Sequence, residues 1–250
     1  MRPLLALTVL LVFSGAHATP QAIPADSSWH MQLSGPLETP ARQVYNVDLY
    51  DTRQDTIADL QRQGRIVLCY FSAGTWEDWR SDAARYPRVA LGKPLPDWPG
   101  ERWLDIRRND VRTLLSARLD LAKRKGCDGV DPDNIDGYSN DNGLHLSKSQ
   151  QLDFIHWLTD AAHQRGLLVG LKNAVELLPQ LAEHVDFAVN ESCYQYKECD
   201  RYQALRRQGK PVFIAEYGDY DEKLCRQAAS SGYRLQFFAL ALDGIGTPCP

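Results

Sequence analysis

The chain has 250 residues, 44% of them hydrophobic, with 28 basic against 32 acidic side chains and a formal net charge of −4. That balance excludes a nucleic-acid binder that relies on a basic face to hold phosphates, and no apolar run reaches the roughly 20 residues needed to cross a bilayer. The length suits one α/β domain with a large core, since a parallel barrel typically takes about 250 residues.

Met1 to Ala18 reads as a secretory signal peptide. Arg2 supplies the positive start, Leu4 to Phe13 a short apolar run, and Ala16-His17-Ala18 an A-x-A cleavage site. Cleavage after Ala18 predicts a mature domain over residues 19–250, with a net charge of −5 once Arg2 is gone. It is expected to be soluble, secreted or periplasmic, free of the membrane, and monomeric rather than oligomeric.

Eight strand-like runs follow: Trp29-Leu33, Val44-Tyr50, Ile66-Ser72, Cys127-Asp133, Leu167-Asn173, Asp186-Glu191, Pro211-Tyr217 and Tyr233-Ala239. Helical patterns over Arg53-Gln63, Val111-Lys125, Ser149-Arg165, Val175-His184, Asp200-Gln208 and Asp221-Ser231 separate most of them. Several helices stop at a glycine (Gly64, Gly126, Gly166, Gly209, Gly232) just before the next strand. That rhythm belongs to right-handed βαβ units and a parallel sheet. The expected fold is a (β/α)8 TIM barrel. A doubly wound open sheet is the alternative, but no Gly-rich phosphate loop follows the first strand. The first connection, Ser34 to Gln43, lacks a helix and holds Pro36 and Pro40, so the barrel is irregular there. The long connection Ala73 to Asp110 carries Trp76, Trp79, Trp98 and Trp103. Such a loop is usually functional and would overhang the mouth.

Export permits disulfides. Among the six cysteines, Cys193 and Cys199 would close a short loop, and Cys225 with Cys249 would tie the last helix to the C-terminal tail. Loop entropy gives these bridges about 2.5 and 3.5 kcal/mol. Cys69 and Cys127 lie in apolar strand contexts and are expected to be buried thiols. No C-x-x-C or H-x-x-x-H spacing suggests a metal, and no cofactor motif occurs.

On a barrel, chemistry belongs at the C-terminal strand ends. The fourth strand ends in Asp131 and Asp133, which share a face because side chains alternate; Asn134 follows on the other face. Asp131-x-Asp133 resembles the start of a calcium loop, but Ile135 and Asp136 occupy positions where that loop needs Asp or Asn and then Gly. The other ends supply Asp48, Ser72, Lys172-Asn173, Asn190-Glu191 and Glu216-Tyr217. Alternatives stay open at several: Asp48 either binds substrate or caps a loop, Lys172 either touches substrate or neutralises the acids, and Glu216 either lines the mouth or braces a neighbour. Asn190-Glu191-Ser192 matches a glycosylation sequon by coincidence, and the scattered histidines offer no triad. Acids dominating one rim point to glycosidic bond cleavage, in which one carboxyl protonates the leaving oxygen and the other attacks carbon or activates water.

The ordered motifs Gly126-x-Asp128-Gly129-Val130-Asp131-Pro132-Asp133-Asn134-Ile135-Asp136, Gly170-Leu171-Lys172-Asn173, Val189-Asn190-Glu191-x-Cys193 and Ala215-Glu216-Tyr217 resemble glycoside hydrolase family 114. Cys199 is shared too, and the resemblance spans nearly the whole mature chain. The family comprises endo-α-1,4-polygalactosaminidases and the related hydrolase domain of Pel exopolysaccharide proteins, linked to biofilm matrices. The resemblance implies a barrel that cuts within partly deacetylated, cationic galactosamine/N-acetylgalactosamine polymers with retention of configuration. Carried over by position, Asp133 becomes the nucleophile and Glu191 the acid/base, with the two carboxyls expected about 5 to 5.5 Å apart. The remaining strand-end residues, with Trp76 from the long loop, become expected substrate contacts. Relatives often carry Glu where this chain has Asp131, which bears on contacts to a neighbouring sugar. Two rival expectations remain: a polysaccharide-binding barrel without catalysis, and a glycosidase for another α-linked amino sugar or a galactan.

Overall fold

The computed structural model describes residues 22–250, so the expected signal peptide lies outside the described residues. Eight parallel strands form the frame: β1 (Trp29–Gln32), β2 (Val44–Asp48), β3 (Ile66–Ser72), β4 (Gly129–Asp133), β5 (Leu168–Lys172), β6 (Phe187–Glu191), β7 (Val212–Tyr217) and β8 (Arg234–Phe238). They pair in sequence order, and the short strand Thr247–Pro248 adds antiparallel to β8. Helices α1 (Gln54–Arg62), α2 (Asn109–Lys125) and α3 (Lys148–His163) fall where the periodicity places them. This is a curled, mostly parallel TIM-type barrel.

Strand alternation sorts the core into two clusters. Leu68, Leu168, Phe187 and Phe213 point inward and fill the barrel floor. Their sequence neighbours Cys69, Val169, Ala188 and Ile214 point outward, where the helices cover them. The β1–β8 seam closes largely through side chains. Gln236 Nε2 donates to the Trp29 carbonyl, Trp29 Nε1 donates to the Arg234 carbonyl at 2.8 Å, and the Trp29 ring stacks on Phe213 at 5.1 Å.

Four features depart from the sequence reading. The long loop after β3 folds into its own antiparallel sheet of Thr75–Glu77, Glu101–Leu104 and Leu91–Pro94. The expected helix Val175–His184 shrinks to a 3-10 turn and one helical turn, Leu178–Leu181, because Pro179 fits only its start. The expected Asp200–Gln208 helix likewise begins as the 3-10 turn Cys199–Tyr202, anchored by the Cys193–Cys199 bridge. Finally, Cys69 and Cys127 are joined in a disulfide with Cα atoms 6.0 Å apart, not held as thiols. Both are buried as expected, but β3 and β4 are paired neighbours, and that pairing brings the two sulfurs together. The Cys193–Cys199 and Cys225–Cys249 bridges are formed as read from the sequence.

Candidate active site

The inward alternation that packs the barrel floor also builds its mouth. Counting up each strand by twos from the floor brings Asp48, Asp133, Lys172, Glu191 and Tyr217 to the top layer, where all five line one cavity of about 520 Å³. The chain then has to leave the rim sharply. Asn134, Asn173 and Ser192, each following one of the charged residues, adopt left-handed backbone with φ of 59°, 51° and 63°. Ala174 does so as well, at 51°. Such conformations cost non-glycine residues of order 1 kcal/mol or more and concentrate at functional sites.

Lys172 sits between the two principal acids. Its Nζ is 3.1 Å from Asp133 Oδ1 and 3.0 Å from Glu191 Oε2. Those two oxygens are therefore no further apart than the sum of the distances, about 6.1 Å. Tyr70 donates its hydroxyl to Asp133 Oδ2 at 2.7 Å, and the Asn134 N–H donates to Asp133 Oδ1 at 2.8 Å. Burial alone would raise Asp133; Lys172 and these donors outweigh it and hold the carboxyl below its ordinary range. Lys172 is itself buried, yet Asp133, Glu191 and Asp131 keep it firmly protonated. On the opposite wall the Tyr217 hydroxyl donates to Glu191 Oε1, and Asn173 Oδ1 accepts the Glu191 N–H at 2.9 Å.

The other expected contacts divide by alternation. Asn134 and Asn173 line the cavity with the acids. Asp131 points inward one layer lower, fully buried, with Asn46 Nδ2 donating to its Oδ2 at 2.7 Å. Burial pushes Asp131 up to about 6. Asn190 and Glu216 face outward, where Asn190 donates to the Tyr202 hydroxyl at 3.0 Å and Glu216 accepts the Tyr194 N–H at 2.8 Å. Ser72 is inward but covered by Asn134, whose Nδ2 donates to it at 3.1 Å. Trp76 turns away from the cleft and donates to the Ala83 carbonyl at 3.0 Å. Asp48 both lines the cleft and caps a turn, accepting the N–H groups of Tyr50 and Asp51 and pairing with Arg80 at 2.7 Å.

Several lining residues were not singled out from sequence. Tyr70 was findable by the same alternation, two residues before Ser72 on β3. Trp79 and Trp98, about half exposed, come from the tryptophan-rich loop but are different members of it. Glu77, Arg80 and Glu101 reach the cleft because the loop folds into a sheet, and Asp136 because the chain turns after Asn134. The cleft continues past the acids. A cavity of about 350 Å³ shares Asp136, Asn173 and Glu191 with it, and another of about 440 Å³ shares Trp98, Asn134 and Asp136.

Known proteins share this architecture. Residues 13–250 match glycoside-hydrolase family GH114. The crystal structure of Aspergillus fumigatus Ega3 in complex with galactosamine superimposes with a TM-score of 0.86 at 38% identity, covering 94% of this chain and 100% of that one. The glycoside hydrolase domain of PelA from Pseudomonas aeruginosa shares the fold at a TM-score of 0.72 and 17% identity, covering 88% and 97%. An uncharacterised protein of Deinococcus radiodurans is 29% identical over 79% of this chain and 74% of its own length. With the family match spanning the barrel and both acids, the chain belongs to glycoside hydrolase family GH114 and is a glycoside hydrolase.

Proposed function

We propose that the protein is an exported, endo-acting hydrolase of α-1,4-linked galactosamine/N-acetylgalactosamine polymers that retains anomeric configuration. Asp133 is the nucleophile and Glu191 the acid/base. The observation that carries this reading is the single lysine held against both carboxylates at one mouth, which puts both acids within reach of one sugar. The Lys172-facing oxygens of the two acids lie within about 6.1 Å of each other, and retention is taken from the family resemblance, with the product anomer as its test. In the first step Asp133 Oδ attacks the anomeric carbon as the glycosidic C–O bond breaks, and Glu191 delivers its proton to the leaving oxygen. In the second step Glu191 takes a proton from water, whose oxygen displaces Asp133 and frees the sugar. Tyr70 and Tyr217 donate to the two carboxyls and hold them in place for both steps, while Asn173 fixes the Glu191 backbone by accepting its N–H.

The polymer assignment draws on the likeness to Ega3, whose structure contains galactosamine, and on the surplus of carboxylates lining the cleft, which favours a cationic chain. Cavities on more than one side of the acids suit a cut within a chain. Export accords with three disulfides, which persist in oxidising compartments.

The test is hydrolysis of partly deacetylated α-1,4 polygalactosamine by wild type, Asp133→Asn and Glu191→Gln, with NMR of the first-formed product. Both variants are expected to fold and bind but to lose at least about 10³-fold in kcat, and wild type to yield α-product. Wild-type turnover in either variant would overturn the roles, and β-product would overturn retention.

A further inference from the structure

Seven carboxylates and two cations line the main cavity. Arg80 lies within 4 Å of Asp48, Asp51 and Glu77, and Lys172 within 4 Å of Asp133 and Glu191. Among the described residues, that leaves Glu101 and Asp136 as the lining acids with no ion pair. Asp136 stands where three cavities meet and is only partly buried. Glu101 is 8% exposed, and burial pushes it above its ordinary range. Its Oε2 accepts the Thr75 hydroxyl at 2.7 Å, while Oε1 has no hydrogen-bond partner among the described residues. It also lies directly across the loop sheet from Glu77, a like-charge pairing that is unfavourable on its own. Glu77 has two arginines nearby, with Arg80 at 2.9 Å and Arg118 at 3.6 Å; Glu101 has a neutral hydroxyl as its contact, with Arg80 and Lys172 acting on it only from beyond ion-pair distance. A buried carboxylate without a cation is costly unless one arrives.

We infer that Glu101 is the specificity residue that reads the free amine of a deacetylated sugar, its open Oε1 accepting the ammonium that the protein itself does not supply. This rests on the amino-sugar polymer proposed above. An N-acetyl group presents a neutral amide and a methyl there, so it forgoes the charge-assisted contact and leaves the carboxylate unpaired. The sugar amine thus completes the cleft's charge pairing, which makes Glu101 a discriminator rather than a general anchor.

The test reads binding, so it stands apart from turnover. In an Asp133→Asn background that spares the ligand, calorimetry compares an α-1,4 galactosamine tetramer with its fully N-acetylated counterpart, with and without Glu101→Gln. Glutamine keeps the volume and still accepts from Thr75, so the loop sheet is retained; circular dichroism checks this. The background protein is expected to prefer the amine tetramer by roughly tenfold to a hundredfold, and Glu101→Gln to bring that ratio close to one. A ratio that Glu101→Gln leaves unchanged, an equal loss for both tetramers, or no preference to begin with would overturn the inference. Hydrolysis of the two polymers by wild type, run alongside, reports separately on the proposed function.

Discussion

Asp131 keeps one oxygen on Asn46 and has no partner for the other among the described residues, two residues before Asp133 and beneath Lys172. Its rise from an ordinary 3.8 to about 6 has a direct consequence for stability. Below about pH 4 the residue is protonated whether the chain is folded or not, so it contributes no penalty. Between pH 4 and 6 the unfolded chain releases the proton while the folded one keeps it, so stability falls as pH rises. Above about pH 6 the full cost, on the order of 3 kcal/mol, is in place. Asp131→Asn removes this titration while keeping a polar group for Asn46. Chemical denaturation across pH 4 to 7.5 should therefore show the variant gaining on wild type through pH 4 to 6 and holding its lead above. A stability difference that is flat with pH would refute the burial account. The cost persists in the native chain because Asp131 contributes to the field that keeps Lys172 charged, and Lys172 is what holds Asp133 and Glu191 together.

At the scale of elements, the end of β4 and the loop sheet are joined by close backbone packing. The N–H groups of Ala73 and Gly74 both donate to the Asp133 carbonyl, at 2.9 and 3.1 Å, and the Gly74 carbonyl accepts the Leu104 N–H. A Cβ on Gly74 would stand 1.7 Å from the Asn134 carbonyl oxygen, so Gly74→Ala must move backbone adjoining Asp133, the proposed nucleophile. It is expected to cost about 1–3 kcal/mol in thermal unfolding and roughly 100-fold in kcat, since small misplacement of a reacting group is expensive. Unaltered kcat on the polysaccharide would show that the rim tolerates the shift. The parts that were legible from sequence follow the same physical logic. Gly126 and Gly232 close α2 and the last helix in left-handed conformation, and such glycines marked the strand starts correctly. Alternation placed Asp131 and Asp133 on one face; applied equally to Asn190-Glu191 and Glu216-Tyr217, it would have sent Asn190 and Glu216 outward. The loop sheet was not legible, because its strands are three or four residues long and their pairing depends on contacts far apart in sequence. Glu101, Glu77 and Arg80 were hidden with it.

For the whole molecule, two of the three disulfides act on different things despite their common chemistry. Cys69–Cys127 spans 58 residues and links β3 to the entry of β4, on the outward face of the barrel. Loop entropy gives such a bridge about 4 kcal/mol, against about 2.5 kcal/mol for the six-residue span of Cys193–Cys199. The small bridge instead sits two residues after Glu191 and pins the segment whose Tyr194 N–H holds Glu216 and whose Glu198 accepts from Asn190. It braces the outward side of β6 and β7, whose inward side carries Glu191 and Tyr217. The two double variants should therefore rank in opposite orders. Cys69→Ala/Cys127→Ala should lose more in denaturant midpoint and keep most of its kcat, because the bridge lies outside the barrel and away from the cleft. Cys193→Ala/Cys199→Ala should lose less stability but more kcat, because β6 and β7 lose their outer support and the Tyr217–Glu191 contact loosens. Urea titrations beside polysaccharide hydrolysis on the two proteins decide it. If both measurements rank the variants the same way, the short bridge is merely a weaker staple and Glu191 is aimed by the barrel alone.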